Sequence, residues 1–332
     1  MIIAFAVSFI LAMLLVPLFV KLAHRFDFTD KPSERKLHTV PIPLIGGVVM
    51  FVAFMVGFII FVGFMNPYDA HPDDVLDGLG VLAVVLGCAA IVGIGLVDDF
   101  VKTRGREFPV WPRLLVHVGV AVLAFAGGIR FEGFMNPFTD VYVTLPLAAQ
   151  FVLTVLWFVG LVTAINWMDG LDGLAGLLSV LPGVVFLVVA LNMGQSDSAV
   201  MSALFLGAVL GFLRYNIAGK KERHYCIMGD SGAYLLGFLL AAISLHGAFK
   251  QATVISMTVP MLALAVPIFD SILVAVRRVL ARKPAHVADT KDVTHLHFRL
   301  IKSGMKPRHA VALIFLISAC LNLMAVIVML AF

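Results

Sequence analysis

Charge is what this chain has least of. Asp, Glu, Lys and Arg make up 13% of its 332 residues, against about 25% in a soluble domain, while 61% are hydrophobic and the mean hydropathy is +1.04. That ratio excludes a water-soluble globule, which would lack the polar side chains to cover its surface. Cysteine is scarce too: of three, Cys88 and Cys320 fall inside apolar runs, and the set offers neither a disulfide framework nor a Cys-x-x-Cys metal pattern. Also missing are low-complexity tracts, flexible linkers and internal repeats, so residues 1–332 read as a single membrane domain. The alternation over roughly ten residues that a transmembrane barrel needs does not occur either.

What is present is a series of apolar runs of roughly 20 residues, and in hydrocarbon such runs must be helices, because each peptide group has to be satisfied within its own segment. The expected fold is all-α and polytopic, with about ten transmembrane helices at residues 2–22, 44–65, 78–97, 112–130, 146–165, 174–192, 198–217, 231–249, 252–280 and 310–331. The first run has no small-residue cleavage site and carries Pro17, so it reads as a retained helix and not a signal peptide.

Ten spans put residues 21–43, 98–113, 166–173, 214–230 and 277–309 on one side, and these hold 22 of the 24 Lys and Arg residues; Arg130 and Lys250 fall opposite. Basic residues are retained in cytoplasmic loops, so this side faces the cytoplasm and both termini face outside. The net charge of +4 is accounted for by that bias, without a nucleic-acid surface.

Against this background the acids stand out. "NWMDGLDG" at 166–173 places Asp169 and Asp172, with Asn166 ahead of them, between two apolar runs; "GLVDDFVKTRGR" places Asp98 and Asp99 at the end of the third run; "IMGDSGAYLLG" places Asp230 at the start of the eighth. All five carboxylates fall on the cytoplasmic side. A helix opening at NWMDGLDG would align Asn166, Asp169 and Asp172, spaced by three, on one face within about 120°.

Two carboxylates about 4 Å apart repel by roughly 4 kcal/mol at an effective dielectric of 20, and a divalent cation removes that cost. Mg²⁺ fits oxygen-only ligands, taking one or two from protein and the rest from water and substrate phosphate, whereas zinc would want thiolates or several imidazoles. Basic residues surround the same face: Lys31, Arg35, Lys36 and His38 in "DKPSERKLHTVPIPLIGG", Lys102, Arg104 and Arg106 after the acid pair, and His295, His297, Arg299 and Lys302 in "THLHFRLIKSG". Acids able to hold Mg²⁺ beside Arg, Lys and His donors describe phosphoryl-group chemistry. Placement at the lipid boundary points to a lipid substrate and a soluble phosphorylated partner. Intramembrane acids also mark transporters, but those lie near the midplane of repeated halves, unlike these. Asp270, deep in the ninth run behind Pro260 and Pro267, is expected to pair with Arg277 or a neighbouring helix.

These motifs, with "PIFDSILVAVRR" and "HLHFRL", occur in the order found in the polyprenyl-phosphate N-acetylhexosamine-1-phosphate transferases, which the chain resembles over nearly its whole length. The resemblance implies transfer of a sugar 1-phosphate from a UDP-sugar to undecaprenyl phosphate in a bacterial inner membrane, with Mg²⁺ or Mn²⁺, as an opening step of cell-envelope polysaccharide synthesis. It also implies Asp230 as metal ligand, with Asn166 as a second, and Asp98 and Asp99 at the reacting phosphates with Lys102 beside them. Asp169 and Asp172 would line the nucleotide-sugar pocket, and His295, His297 and Arg299, with Arg35, Lys36 and His38, would bind substrate. "DKPSERKLH" and "HLHFR" look like the branch that uses UDP-N-acetylglucosamine. Phe298 stands where that branch has a further histidine, which leaves another UDP-N-acetylhexosamine or UDP-MurNAc-pentapeptide open as donor. Direct attack by the lipid phosphate and a covalent route through Asp98 both stay open, as does a homodimer.

Overall fold

A computed structural model describes residues 1–31, 40–64, 78–135, 139, 141–217, 224–247, 255–280 and 295–331. Arg35, Lys36, His38, Phe138 and Lys250 lie outside the described residues. Each apolar stretch contains helix, in the order α1 (Ile2–Arg25), α2 (Gly46–Phe64), α3 (Gly78–Thr103), α4 (Val110–Ala126), α5 (Leu147–Met168), α6 (Leu174–Asn192), α7 (Ser196–Asn216), α8 (Gly229–Gly247), α9 (Ile255–Ala263), α10 (Ala265–Leu280), α11 (Leu296–Lys302) and α12 (Pro307–Ala331). Strands β1 (Thr29–Asp30) and β2 (Ile42–Pro43) pair antiparallel, as do β3 (Gly133–Met135) and β4 (Tyr142–Thr144). Among the described residues, seven helices are long and apolar enough to cross a membrane: α1, α2, α3, α5, α6, α7 and α12.

The ninth apolar run is two helices, not one. It breaks at Leu264, between Pro260 and Pro267, where proline removes donors from the helical ladder. The third helix, in contrast, outlasts its apolar run by two turns and carries Asp98, Asp99 and Lys102 to its end.

Close packing in this bundle rests on small residues, as expected where lipid and side chain are equally apolar and contact alone drives association. The buried stripe of α1 is Ala4, Ser8, Ala12, Val16, Val20 and Ala23, nearly one residue per turn, and it lies on Gly207 and Gly211 of α7. A side chain at Gly211 would come within 2.6 Å of Ala12 Cβ. The centre of the bundle is α8, packed against α2, α3, α5 and α6. Gly47 of α2 and Gly95 of α3 both rest on Ser231 in its first turn, and Gly237 rests on the backbone of α5 at Val162. The N–H groups of Gly46 and Gly47 donate to the carbonyls of Ile227 and Met228, both at 3.1 Å. The start of α2 thus satisfies its orphan donors by holding the segment that leads into α8. The entry to α8 is thereby fixed by α2 and α3.

Candidate active site

Four helix ends meet at the start of α8. The last turns of α3 bring Asp98, Asp99 and Lys102, the last turn of α5 brings Asn166, the first turn of α4 brings Arg113, and the first turn of α8 brings Asp230 and Ser231. Asp230 is held on both oxygens: Lys102 Nζ contacts Oδ2, and Asn166 Nδ2 donates to Oδ1 at 2.9 Å. Lys102 also reaches back one turn to Asp98 Oδ1, at 3.4 Å.

Asp98 and Asp99 are adjacent in sequence and differ in task. Asp98, wholly buried, accepts from Arg113 Nη1 at 2.9 Å and from the Tyr234 hydroxyl at 3.2 Å, both on Oδ2. Its Oδ1 has no hydrogen-bond donor among the described residues and faces Lys102. Asp99 has both oxygens engaged by α8: Oδ1 accepts the Asp230 N–H at 2.8 Å, while Oδ2 accepts the Ser231 N–H at 3.1 Å and the Ser231 hydroxyl at 2.8 Å. It caps α8 from another helix, supplying the acceptors that a helix N-terminus lacks. Gly229, at φ +74°, makes this fit possible, since a Cβ there would stand 2.6 Å from Asp99 Oδ2.

The NWMDGLDG stretch does not open a helix. α5 runs on to Met168 and α6 begins at Leu174, with a turn between, so Asn166 belongs to a helix end and Asp169 and Asp172 to the turn. The glycines are the reason: Gly173 sits at φ +79° under Ile217, and its N–H donates to Asn216 Oδ1 at 2.7 Å. Asp169 faces the acid cluster; burial, followed by the negative fields of Asp230, Asp99 and Asp172, pushes its carboxyl up to about 8. Asp172 points elsewhere and accepts from the Tyr225 hydroxyl at 2.7 Å, and burial together with Asp172 raises that phenol.

The histidine loop docks on this turn. A side chain at Gly170 would strike the His297 ring, so the ring lies directly on the glycine. Burial, then His295, lowers His297 to about 4, and neither of its ring nitrogens has a hydrogen-bond partner among the described residues. His295 is buried against Asp270, and Arg299 is exposed on α11.

Arg113, Tyr234 and Ser231 join the site although the sequence reading passed over them. A signal existed: Tyr234 stands one turn beyond Asp230 on α8, and Arg113, one turn before His117, lies in the first turn of a largely apolar helix.

The donor set fits a hard cation. Among the described residues no three His, Cys, Asp or Glu side chains form a ready cage, but Asp98 keeps a buried oxygen without a donor, and Asp230 shares Lys102 with it. An ion that takes few protein oxygens and fills its shell with water and substrate suits that donor set.

Residues 81–248 match the family described as glycosyl transferase family 4. The chain belongs to glycosyl transferase family 4. Its family likeness extends well beyond that segment: it is 30% identical, over 98% of this chain and 84% of the relative, to a probable undecaprenyl-phosphate N-acetylglucosaminyl 1-phosphate transferase of Bacillus subtilis strain 168. It is 31% identical, over 89% and 75%, to a decaprenyl-phosphate N-acetylglucosaminephosphotransferase of Mycobacterium leprae strain TN. A phospho-N-acetylmuramoyl-pentapeptide-transferase of Listeria monocytogenes serotype 4b is 32% identical over 73% of each chain. This member of glycosyl transferase family 4 is a multi-pass membrane transferase, and its family segment contains Asp98, Asp99, Lys102, Arg113, Asn166 and Asp230.

Proposed function

We propose that the protein transfers N-acetylglucosamine 1-phosphate from UDP-N-acetylglucosamine to undecaprenyl phosphate, releasing UMP, at the cytoplasmic face of a bacterial inner membrane. The observation that carries this is the junction of Asp230, Lys102 and Asn166, drawn from α8, α3 and α5 to one point beside Asp98. The donor sugar rests on the two N-acetylglucosamine relatives, which align over most of this chain. Orientation rests on the 22 basic residues of 24 that share the side of this junction in a ten-span topology with both termini outside.

The lipid phosphate has its second pKa near 6, so at neutral pH much of it is already a dianion and needs no general base. Its oxygen attacks the β-phosphorus of the UDP-sugar, a new P–O bond forms there, and the bond from the β-phosphorus to the bridging oxygen breaks. UMP leaves with that oxygen and its electron pair. Lys102 neutralises charge on the reacting diphosphate, and Asp98, fixed on Oδ2 by Arg113 and Tyr234, turns Oδ1 toward Lys102. Asp99 positions Asp230 through the α8 cap. Asp230, with Asn166 after rotation of its amide, would hold Mg²⁺ or Mn²⁺, which when bound supplies charge neutralisation to the diphosphate. Asp169 and the His297 loop line the nucleotide-sugar side.

Purified protein incubated with undecaprenyl phosphate and a panel of UDP-sugars tests this directly. Lipid-linked product from UDP-N-acetylglucosamine, lost on chelation, is the expected result. Preference for UDP-MurNAc-pentapeptide would overturn the donor assignment, and vesicle uptake of solute without lipid labelling would favour transport.

A further inference from the structure

Asp270 belongs to neither the acid cluster nor the lipid-facing surface. It is buried on α10, and of its two expected partners, Arg277 or a neighbouring helix, it holds the second, at the start of α11. One oxygen, Oδ2, lies 2.8 Å from His295 Nδ1, and the other accepts the Leu296 N–H at 2.8 Å. A carboxylate only accepts, so the proton between them sits on Nδ1 of the imidazole. The backbone bond caps α11 at its first residue, just as Asp99 caps α8 from a distance.

His295 in turn is the centre of a ring stack. It meets the Trp167 ring edge-on at 5.3 Å between centroids and stacks on His297 at 5.8 Å. Trp167 follows Asn166, the residue that holds Asp230, and His297 lies on Gly170, next to Asp169. Arg278 of α10 lies over the Trp167 ring, 5.3 Å from its centroid. Two residues of α10 therefore clamp the stack that joins the histidine loop to the turn beside the acid cluster.

We propose that Asp270 is a positioning residue for the transfer reaction: it fixes the ring orientation and tautomer of His295, leaving Nε2 as the nitrogen that meets the nucleotide-sugar, and anchors α11 against the 166–173 turn. The inference deepens the transferase reading and rests on it.

The test uses the full chain in detergent or nanodiscs. Asp270→Asn keeps an oxygen for the Leu296 N–H but loses the anionic acceptor, and is expected to lower kcat/KM roughly 10- to 100-fold, by analogy with the loss of the outer-shell carboxylate that orients a metal-bound histidine. In a His295→Gln background the same change is expected to do nothing further, because its effect passes through that ring. Values for Asp270→Asn within about twofold of the parent, or losses that multiply in the double variant, would overturn the proposal. Hydrogen exchange supplies an arm independent of activity: Asp270→Ala should speed exchange across 296–302, and unchanged protection there would equally overturn it. If the unaltered protein yields no lipid-linked sugar from any donor, the transferase reading falls, while the exchange measurement still decides whether Asp270 anchors the loop.

Discussion

Asp99 is the residue at which positioning and chemistry are most readily confused, and replacing it separates them. In Asp99→Ala the N–H groups of Asp230 and Ser231 lose their acceptors in a buried place, as does the Ser231 hydroxyl. Each unsatisfied buried donor costs about 1–3 kcal/mol, so two amides put the loss at roughly 2–6 kcal/mol after the hydroxyl reorients. Asp99→Asn keeps one acceptor oxygen and should lose about half of that. Thermal unfolding in detergent is the assay, with kcat measured on the surviving folded fraction. A cap predicts that stability and activity fall together, in the order parent, Asn, Ala. Asp99→Ala protein as stable as the parent but inactive would refute this account and return Asp99 to the reacting phosphates.

Arg113→Met leaves the Asp98 charge buried with only Tyr234 and Lys102 beside it, and should cost about 3 kcal/mol, with Asp98→Asn in the same chain recovering much of the stability though not the activity. Unfolding of the single and double variants checks this. Gly229→Ala forces a side chain into a positive φ and onto Asp99, and should reduce yield of folded protein and turnover together; expression and thermal stability are the readouts. Asp169 supplies a pH test in metal-free buffer. Its folded carboxyl is raised above the ordinary range to about 8, so its contribution to stability is present in full below the ordinary carboxylate range and is lost as pH rises toward 8. The melting temperature of Asp169→Asn should therefore gain on the parent across that window and stop gaining above it.

Much of this arrangement is legible in the sequence. Helices follow from apolar length, the shared side of Asp98, Asp99, Asp169, Asp172 and Asp230 follows from where the basic residues fall, and the family resemblance adds Asn166 beside Asp230; the structure joins Asp98, Asp99, Asn166 and Asp230 and sends Asp172 to Tyr225. What sequence spacing could not show was division of labour. Asp98 and Asp99 are neighbours on α3, yet Asp98 turns to Arg113 of α4 and Tyr234 of α8, while Asp99 turns to the first turn of α8, which Gly95 lets approach. The three-residue spacing from Asn166 to Asp172 suits a helix, but Gly173 needs a positive φ and Tyr225, distant in sequence, draws Asp172 away. Asp270 has Arg277 seven residues ahead on its own helix, yet its partner arrives from a loop 25 residues on. Local pattern names the groups; tertiary contact assigns them.

The central claim is that the sugar leaves its nucleotide with the β-phosphate, at a site organised around Asp230. UDP-N-acetylglucosamine labelled separately at the α- or β-phosphorus, supplied with undecaprenyl phosphate to the purified protein, tests it most directly. The β label should pass to the lipid and the α label should remain in water-soluble UMP, with transfer abolished by Asp230→Asn. Appearance of the α label in lipid, or undiminished transfer by the Asp230→Asn protein, would contradict it.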